Sequence, residues 1–183
     1  VIGAVLVALL VASALVSLMW TPHSATDIDV PSKLLAPSST HWLGTDSLGR
    51  DIVSLLMAGA QNSIAVGVIA VGIGMGFGVV FGLLAAARRG WVEEAVMRLS
   101  DFTFAFPALL SAIMLTAIYG PGLVTSIVAI GIFNIPVFAR ISRAAALTVW
   151  SRDYVLASRA CGKNAWHISV AHVLPNIASV LIV

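Results

Sequence analysis

The groups in this chain that could do chemistry are few, and most of them lie close together. Gly162-Lys163 stands within "SRACGKN", residues 158–164. A Gly-Lys pair could belong to a phosphate-cradling loop. That loop needs G-x-x-x-x-G-K-[ST], where the first glycine lets the backbone turn around the anion and the hydroxyl takes magnesium. Here Ala157 holds the first-glycine position and Asn164 the hydroxyl position, so this Gly-Lys pair is not a phosphate loop. A second glycine run, "VGIGMGFGVVFG" at residues 71–82, lacks the G-x-G-x-x-G register of a dinucleotide loop. Gly72/Gly76, Gly74/Gly78 and Gly78/Gly82 are instead spaced by four, which on a helix lets a neighbouring helix approach closely. The single Cys161 excludes an intramolecular disulfide and a cysteine-only metal cluster, and it reads as a small apolar residue. His172 could relay a proton or hold a metal, but a packing or interface histidine is the plainer reading. No HExxH occurs, and no serine–histidine or paired-aspartate set lies within the apolar stretches. No catalytic residue and no metal ligand are assigned, and the residues that bind substrate are not legible.

The elements that must position these groups are membrane helices. Of 183 residues, 60% are hydrophobic and only 10% charged, against about 25% charged in soluble domains. Mean hydropathy is +1.03. A spanning helix needs about 20 apolar residues, because backbone groups in lipid must bond within their own segment. Val1 to Trp20 is uncharged and ends in an interfacial tryptophan; it exceeds the apolar core of a signal peptide. Further spans are expected at about 63–87, 102–118, 123–139 and 168–183, with "YGPG" (119–122) as the turn between the third and fourth. The chain begins inside an apolar run without an initiator methionine, and the fifth span is still running at Val183. The expectation is an all-α polytopic membrane protein of about five spans, in a piece lacking both ends.

Lysine and arginine fix the orientation. If the first span runs outward, the inner loops hold Arg88, Arg89, Arg98, Arg140, Arg143, Arg152, Arg159 and Lys163, and the outer loop holds Lys33 and Arg50. The N-terminal side and the 151–165 loop are therefore expected to be cytoplasmic. The outer loop, 21–62, carries Asp27, Asp29, Asp46 and Asp51. Its second part is expected to form an amphipathic interfacial helix over 46–57, with Leu48, Ile52, Leu55 and Leu56 on one face and Asp46 pairing with Arg50. The first inner loop, "RRGWVEEAVMRLSDFTFAFP", has Val92, Val96 and Leu99 on one helical face and a Glu94–Arg98 pair on another, with Pro107 near the start of the third span.

The second inner loop describes a stub helix from Arg152 to Cys161. Ser151 is placed as its N-cap and Asp153 in its first turn, where a carboxylate suits the positive helix end. Gly162 can take the left-handed conformation that stops a helix, Asn164 can cap the next, and Pro175 should kink the span that follows. Either a plain positively charged loop or a helix docking into a partner's groove would account for this.

The motifs resemble one family. Gly162 and Leu174-Pro175 stand at the separation of the cytoplasmic "EAA" loop of bacterial ABC importer permeases, and Ala157 matches its first alanine. Leu156 stands in place of the motif glutamate, Ser158 in place of the second alanine and His172 in place of the isoleucine. "HWLGTDSLGRDIVS", "GWVEEAVMRLSDFTFAFP", "YGPGL" and "HVLPN" are similar to the dipeptide/oligopeptide/nickel importer permeases, in particular the second permease of the pair, from about His41 to Asn176. The resemblance implies the type I ABC importer transmembrane fold, with a sixth span after Val183 and location in the bacterial inner membrane. It implies a heterodimer with a related permease, two cytoplasmic ATPase subunits that hold ATP and magnesium, and an extracytoplasmic solute-binding protein. No cofactor is expected in this chain. The stub helix is then the coupling helix. Arg152, Asp153, Tyr154, Leu156, Ala157, Ser158, Arg159, Gly162 and Lys163 are its expected ATPase contacts, with Tyr154, Leu156 and Ala157 supplying the apolar part. Peptides, glutathione-like peptides, nickel chelates and opine-type conjugates are the implied solutes. Against this stand an ion-coupled secondary transporter, which usually needs ionisable groups in its spans, and a non-transport membrane scaffold.

Overall fold

The computed structural model describes residues 1–182. It is helical, with no β-strand among the described residues beyond one isolated bridge between Thr45 and Asp51. The chain forms two compact units, one ending at Gly67 and one beginning at Val68.

The first unit contains α1 (Ile2–Ser17), an irregular loop with one 3-10 turn at Val30–Ser32, and the start of α2 (Ile52–Arg88). In α1 the Ser13 and Ser17 hydroxyls each donate back to a carbonyl one turn earlier, at 2.8 Å. Its few polar atoms are thereby satisfied within the helix. The loop is laced by backbone bonds: Thr45 N–H donates to Leu35, Leu34 N–H to Asp46 and Asp29 N–H to Leu48.

The expected helix over 46–57 does not form as such. Residues 46–50 make a turn and α2 begins only at Ile52. The reason is local. One Asp46 carboxylate oxygen accepts the Leu48 and Arg50 N–H groups, at 2.8 and 2.9 Å, and the other accepts the Arg50 guanidinium at 2.7 Å. An aspartate that offers the backbone such bonds competes with the helix. Gly49 completes the turn at φ +80°, against the Asp29 carbonyl. The expected Asp46–Arg50 pair is thus present, but across a turn.

The second unit takes α2 from Val68 onward, α3 (Gly90–Ala105), α4 (Ala108–Tyr119), α5 (Leu123–Trp150), α6 (Asp153–Ala160), α7 (Ala165–Ile168), a π-helical turn (Ser169–Val173) and α8 (Leu174–Ile182). Its core joins Val79, Leu83 and Ala86 of α2 to Ala146 and Trp150 of α5, Val155 of α6, and Ile168, Val173, Ile177 and Leu181. The glycines of α2 set how closely α5 can lie. A Cβ at Gly74 would stand 2.3 Å from the Asn134 Cβ, at Gly78 2.5 Å from the Ile135 carbonyl, and at Gly82 1.9 Å from the Ser142 hydroxyl. At Gly72 and Gly76 a Cβ would meet nothing within 4 Å.

Several expected spans meet helices of other bounds; α2 covers Ile52–Arg88 where 63–87 was expected. The stretch 102–118 is not one helix: α3 and α4 meet at a 78° bend. Pro107 holds Phe106 in extended backbone, φ −93° and ψ 125°, as expected of the residue before a proline. Helix α5 continues past residue 139, where the fourth span was expected to end, to Trp150. Its arginines have partners there, since Arg143 Nε donates to Glu93 of α3 at 2.6 Å and Arg140 pairs with Asp101 and lies over the Phe104 ring, 4.4 Å from its centre. Among the described residues α2, α5 and the run Ala165–Ile182 are each long and apolar enough to cross a membrane, and α3 with α4 would be a fourth crossing as a bent pair; α1 is shorter, at 16 residues.

Candidate functional site

The α6 corner is built by the ends of its neighbours. Because α5 runs to Trp150, Ser151 sits at a C-terminal helix end, where carbonyls need donors. Its hydroxyl accordingly donates to the Thr148 carbonyl at 2.9 Å. It does not cap α6, whose N-cap is Arg152 with no side-chain bond to the helix, while Asp153 occupies the first turn. At the other end Gly162 takes φ +80°. Its N–H donates to the Arg159 carbonyl at 3.0 Å and that of Lys163 to the Ser158 carbonyl at 3.3 Å. These two bonds and the left-handed residue form a complete Schellman stop. Asn164 then caps α7, its Oδ1 accepting the His167 N–H at 2.7 Å.

α6 has one buried residue, Val155, fully enclosed in the core. Ser158 is half-buried; Arg152, Asp153, Tyr154, Leu156, Ala157, Arg159, Gly162 and Lys163 are exposed. Tyr154 and Leu156 are each about half accessible, at 47% and 50%. The short helix therefore presents two large apolar side chains beside Arg152 and Arg159 on its outer side. Its inner side is not tightly satisfied. The Trp150 Nε1, Ser158 Oγ and Ser169 Oγ atoms are buried without a hydrogen-bond partner, and each such group has a desolvation cost. Val155 was not singled out by sequence. In an eight-residue helix one valine between Tyr154 and Leu156 gives no periodic signal.

His172 lies in the π turn, half-buried, with the Tyr154 and His167 rings edge-on at 6.4 Å and Lys163 Nζ at 3.5 Å from its Nε2. This widened turn ends just before Leu174-Pro175. Proline has no N–H for the preceding turn, and the Asn176 amide donates to the His172 carbonyl at 2.6 Å.

A second polar cluster stands in the first unit, where the sequence reading assigned nothing. Asp51 is buried immediately before α2, and its Oδ2 accepts both the N–H and the hydroxyl of Ser54, each at 2.8 Å. Its Oδ1 faces the Nδ1 atoms of His41 at 3.0 Å and His23 at 3.8 Å. Burial pushes the Asp51 carboxyl up, but the Ser54 donors and the His41 and His23 imidazoles outweigh it and hold it below the ordinary value. Asp46 is also held low, first by the Arg50 N–H and then by the Arg50 guanidinium. No motif spacing marks the His23, His41 and Asp51 set, because irregular backbone brings it together.

The description "Binding-protein-dependent transport system inner membrane component" matches residues 78–183. The chain is 41% identical over 178 residues to the glutathione transport system permease protein GsiD of Pectobacterium atrosepticum, covering 97% of this chain and 59% of that protein. It is 33% identical over 183 residues to the dipeptide transport system permease protein DppC of Alkalihalophilus pseudofirmus, covering 100% and 60%. Against GsiD of Escherichia coli the identity is 39% over 182 residues, covering 99% and 60%. The chain thus spans about three fifths of the length of these relatives. With the helical architecture, the glycine-lined α2–α5 contact and the α6 corner in place, these matches establish that the chain belongs to the binding-protein-dependent transport system inner membrane components, the permeases of ABC importers.

Proposed function

We propose that this chain forms half of the translocation pathway of an ABC importer for short peptides, and that α6 is the handle by which a separate ATPase subunit moves it. The observation that carries the second part is the state of α6: a short surface helix with Tyr154, Leu156, Ala157, Arg152 and Arg159 exposed and Val155 its one fully buried anchor. An apolar patch rimmed by charge fits a groove on a partner. The family identity supports an ATPase and a binding protein as partners, and a related permease completes the pathway. ATP and magnesium belong to the ATPase subunits, since this chain has no phosphate loop. The distribution of lysine and arginine supports α6 facing the cytoplasm. The relatives' names make glutathione and dipeptides the first solutes to test.

The test is reconstitution of the full complex in vesicles, with uptake and ATP hydrolysis measured together. Uptake should need ATP, stop with vanadate and survive collapse of the proton gradient. Gly162→Val should leave the complex assembled and hydrolysing ATP while uptake is lost. Uptake that follows the proton gradient would establish the secondary-transporter reading instead, and normal uptake in Gly162→Val would remove α6 from the coupling path.

A further inference from the structure

We propose that His23, His41 and Asp51 form a binding site for a divalent transition-metal ion of the zinc class on the outer loop. Their ligand atoms all lie within 4.8 Å of one another. Two of the separations, 3.0 Å from His41 Nδ1 and 3.8 Å from His23 Nδ1 to the same Asp51 oxygen, bracket the ligand spacing of a tetrahedral zinc ion. With metal–ligand distances of about 2.0–2.1 Å that spacing is about 3.3 Å. A purely structural brace accounts for less. The His41 contact is a good hydrogen bond, but His23 stops outside hydrogen-bond range while its ring lies tilted against His41 with centres 4.5 Å apart. A cation between the three would engage every one of the converging lone pairs.

The surroundings support a site rather than a coincidence of side chains. Ser54, itself fully buried, fixes the other Asp51 oxygen with two hydrogen bonds, and its hydroxyl also accepts the His23 backbone N–H at 3.0 Å. One residue thus orients the carboxylate and pins the irregular segment that carries the first histidine, the role outer-shell partners play around bound metals. Asp51 is enclosed, His41 mostly so, and His23 is 42% accessible, which gives an ion a way in and leaves a position for water. Two imidazoles and a carboxylate suit zinc, cobalt, nickel or copper rather than calcium or magnesium, which prefer all-oxygen sets.

The test uses the purified full-length permease complex in nanodiscs, stripped with chelator and titrated with zinc chloride by calorimetry. Cobalt(II) absorption serves as a second readout of coordination. The expected result is one zinc per copy of this chain, with His23→Ala and His41→Ala each weakening binding at least tenfold and Ser54→Ala weakening it about 10- to 100-fold. His23→Ala is the decisive variant because its side chain is the most exposed; unchanged protease resistance of the outer loop shows that it is folded. Wild type that takes up no more zinc than His23→Ala overturns the proposal, as does zinc uptake untouched by both histidine variants. Binding is read without transport, so failure here is separable from failure of the importer reading.

Discussion

Gly49 and Gly162 have the same φ, +80°, and live in opposite surroundings. At Gly49 a Cβ would stand 1.7 Å from the Asp29 carbonyl oxygen; at Gly162 it would meet nothing within 4 Å. The difference extends to the regions around them. The loop before α2 uses its polar groups on itself: Asp46 on its own turn, Thr45 on Leu35, Asp51 on Ser54 and His41. The α6 corner satisfies its backbone but leaves its charged and large apolar side chains in the open. A loop that is closed on itself holds a shape, whereas a helix whose outer groups are unspent is built to be met by something else.

The largest effect should follow from breaking the closed region at its tightest point. Gly49→Ala meets a backbone carbonyl that cannot move without unthreading the turn. It should destabilise the first unit by more than 3 kcal/mol, beyond the usual 1–3 kcal/mol of overpacking. Gly162→Ala adds only the left-handed penalty, about 1–2 kcal/mol. Thermal unfolding in detergent measures both, followed by protease cleavage within 21–51 for Gly49→Ala and between 150 and 165 for Gly162→Ala. Equal losses would erase the contrast.

Next in size are the two anchors. Val155→Ala removes the only buried side chain of α6 and should cost about 2 kcal/mol, read as faster protease cleavage between residues 150 and 165. Asp51→Asn should loosen the loop before α2 by a similar amount, about 1–3 kcal/mol, by weakening buried hydrogen bonds.

The same carboxylate sets a pH dependence. The Asp51 pKa is lower in the folded chain than its ordinary 3.8. Its contribution is therefore complete above the unfolded pKa and is lost as pH falls through the folded one. Protection of the loop should hold from neutral pH to about pH 5 and fall below about pH 4, and Asp51→Asn should flatten that fall. A slope unchanged in the variant would assign the dependence to other carboxylates. The smallest effect on stability belongs to the open region: Leu156→Ala should change it by less than about 0.5 kcal/mol while lowering the uptake obtained per ATP hydrolysed. An unchanged ratio would mean that Leu156 is only solvated surface.

The features legible in the sequence are those where one residue type does one physical thing. Gly162 and Asn164 stop one helix and cap the next, and glycines four apart let α5 approach α2 at Gly74, Gly78 and Gly82. The features that were not legible depend on competition or on distance. Leu48, Ile52, Leu55 and Leu56 do have helical spacing, but the Asp46 carboxylate and Gly49 decide the first half of that stretch against a helix. The length of α5 depends on Glu93 and Asp101, about 40 to 50 residues earlier, receiving Arg143 and Arg140. His23, His41 and Asp51 converge only because irregular backbone folds back on α2.

The α2–α5 contact also has a pitch. The close approaches at Gly74, Gly78 and Gly82 recur once per turn, with Met75 and Val79 on the intervening ridge packed into or against the core. A slide of α5 along α2 by a fraction of a turn would drive Asn134, Phe138 or Ser142 onto a side chain instead of a glycine. The next register that would again set such side chains against glycines lies four residues along, about 6 Å away at 1.5 Å per residue, so the glycine spacing fixes the register of this seam as well as its closeness.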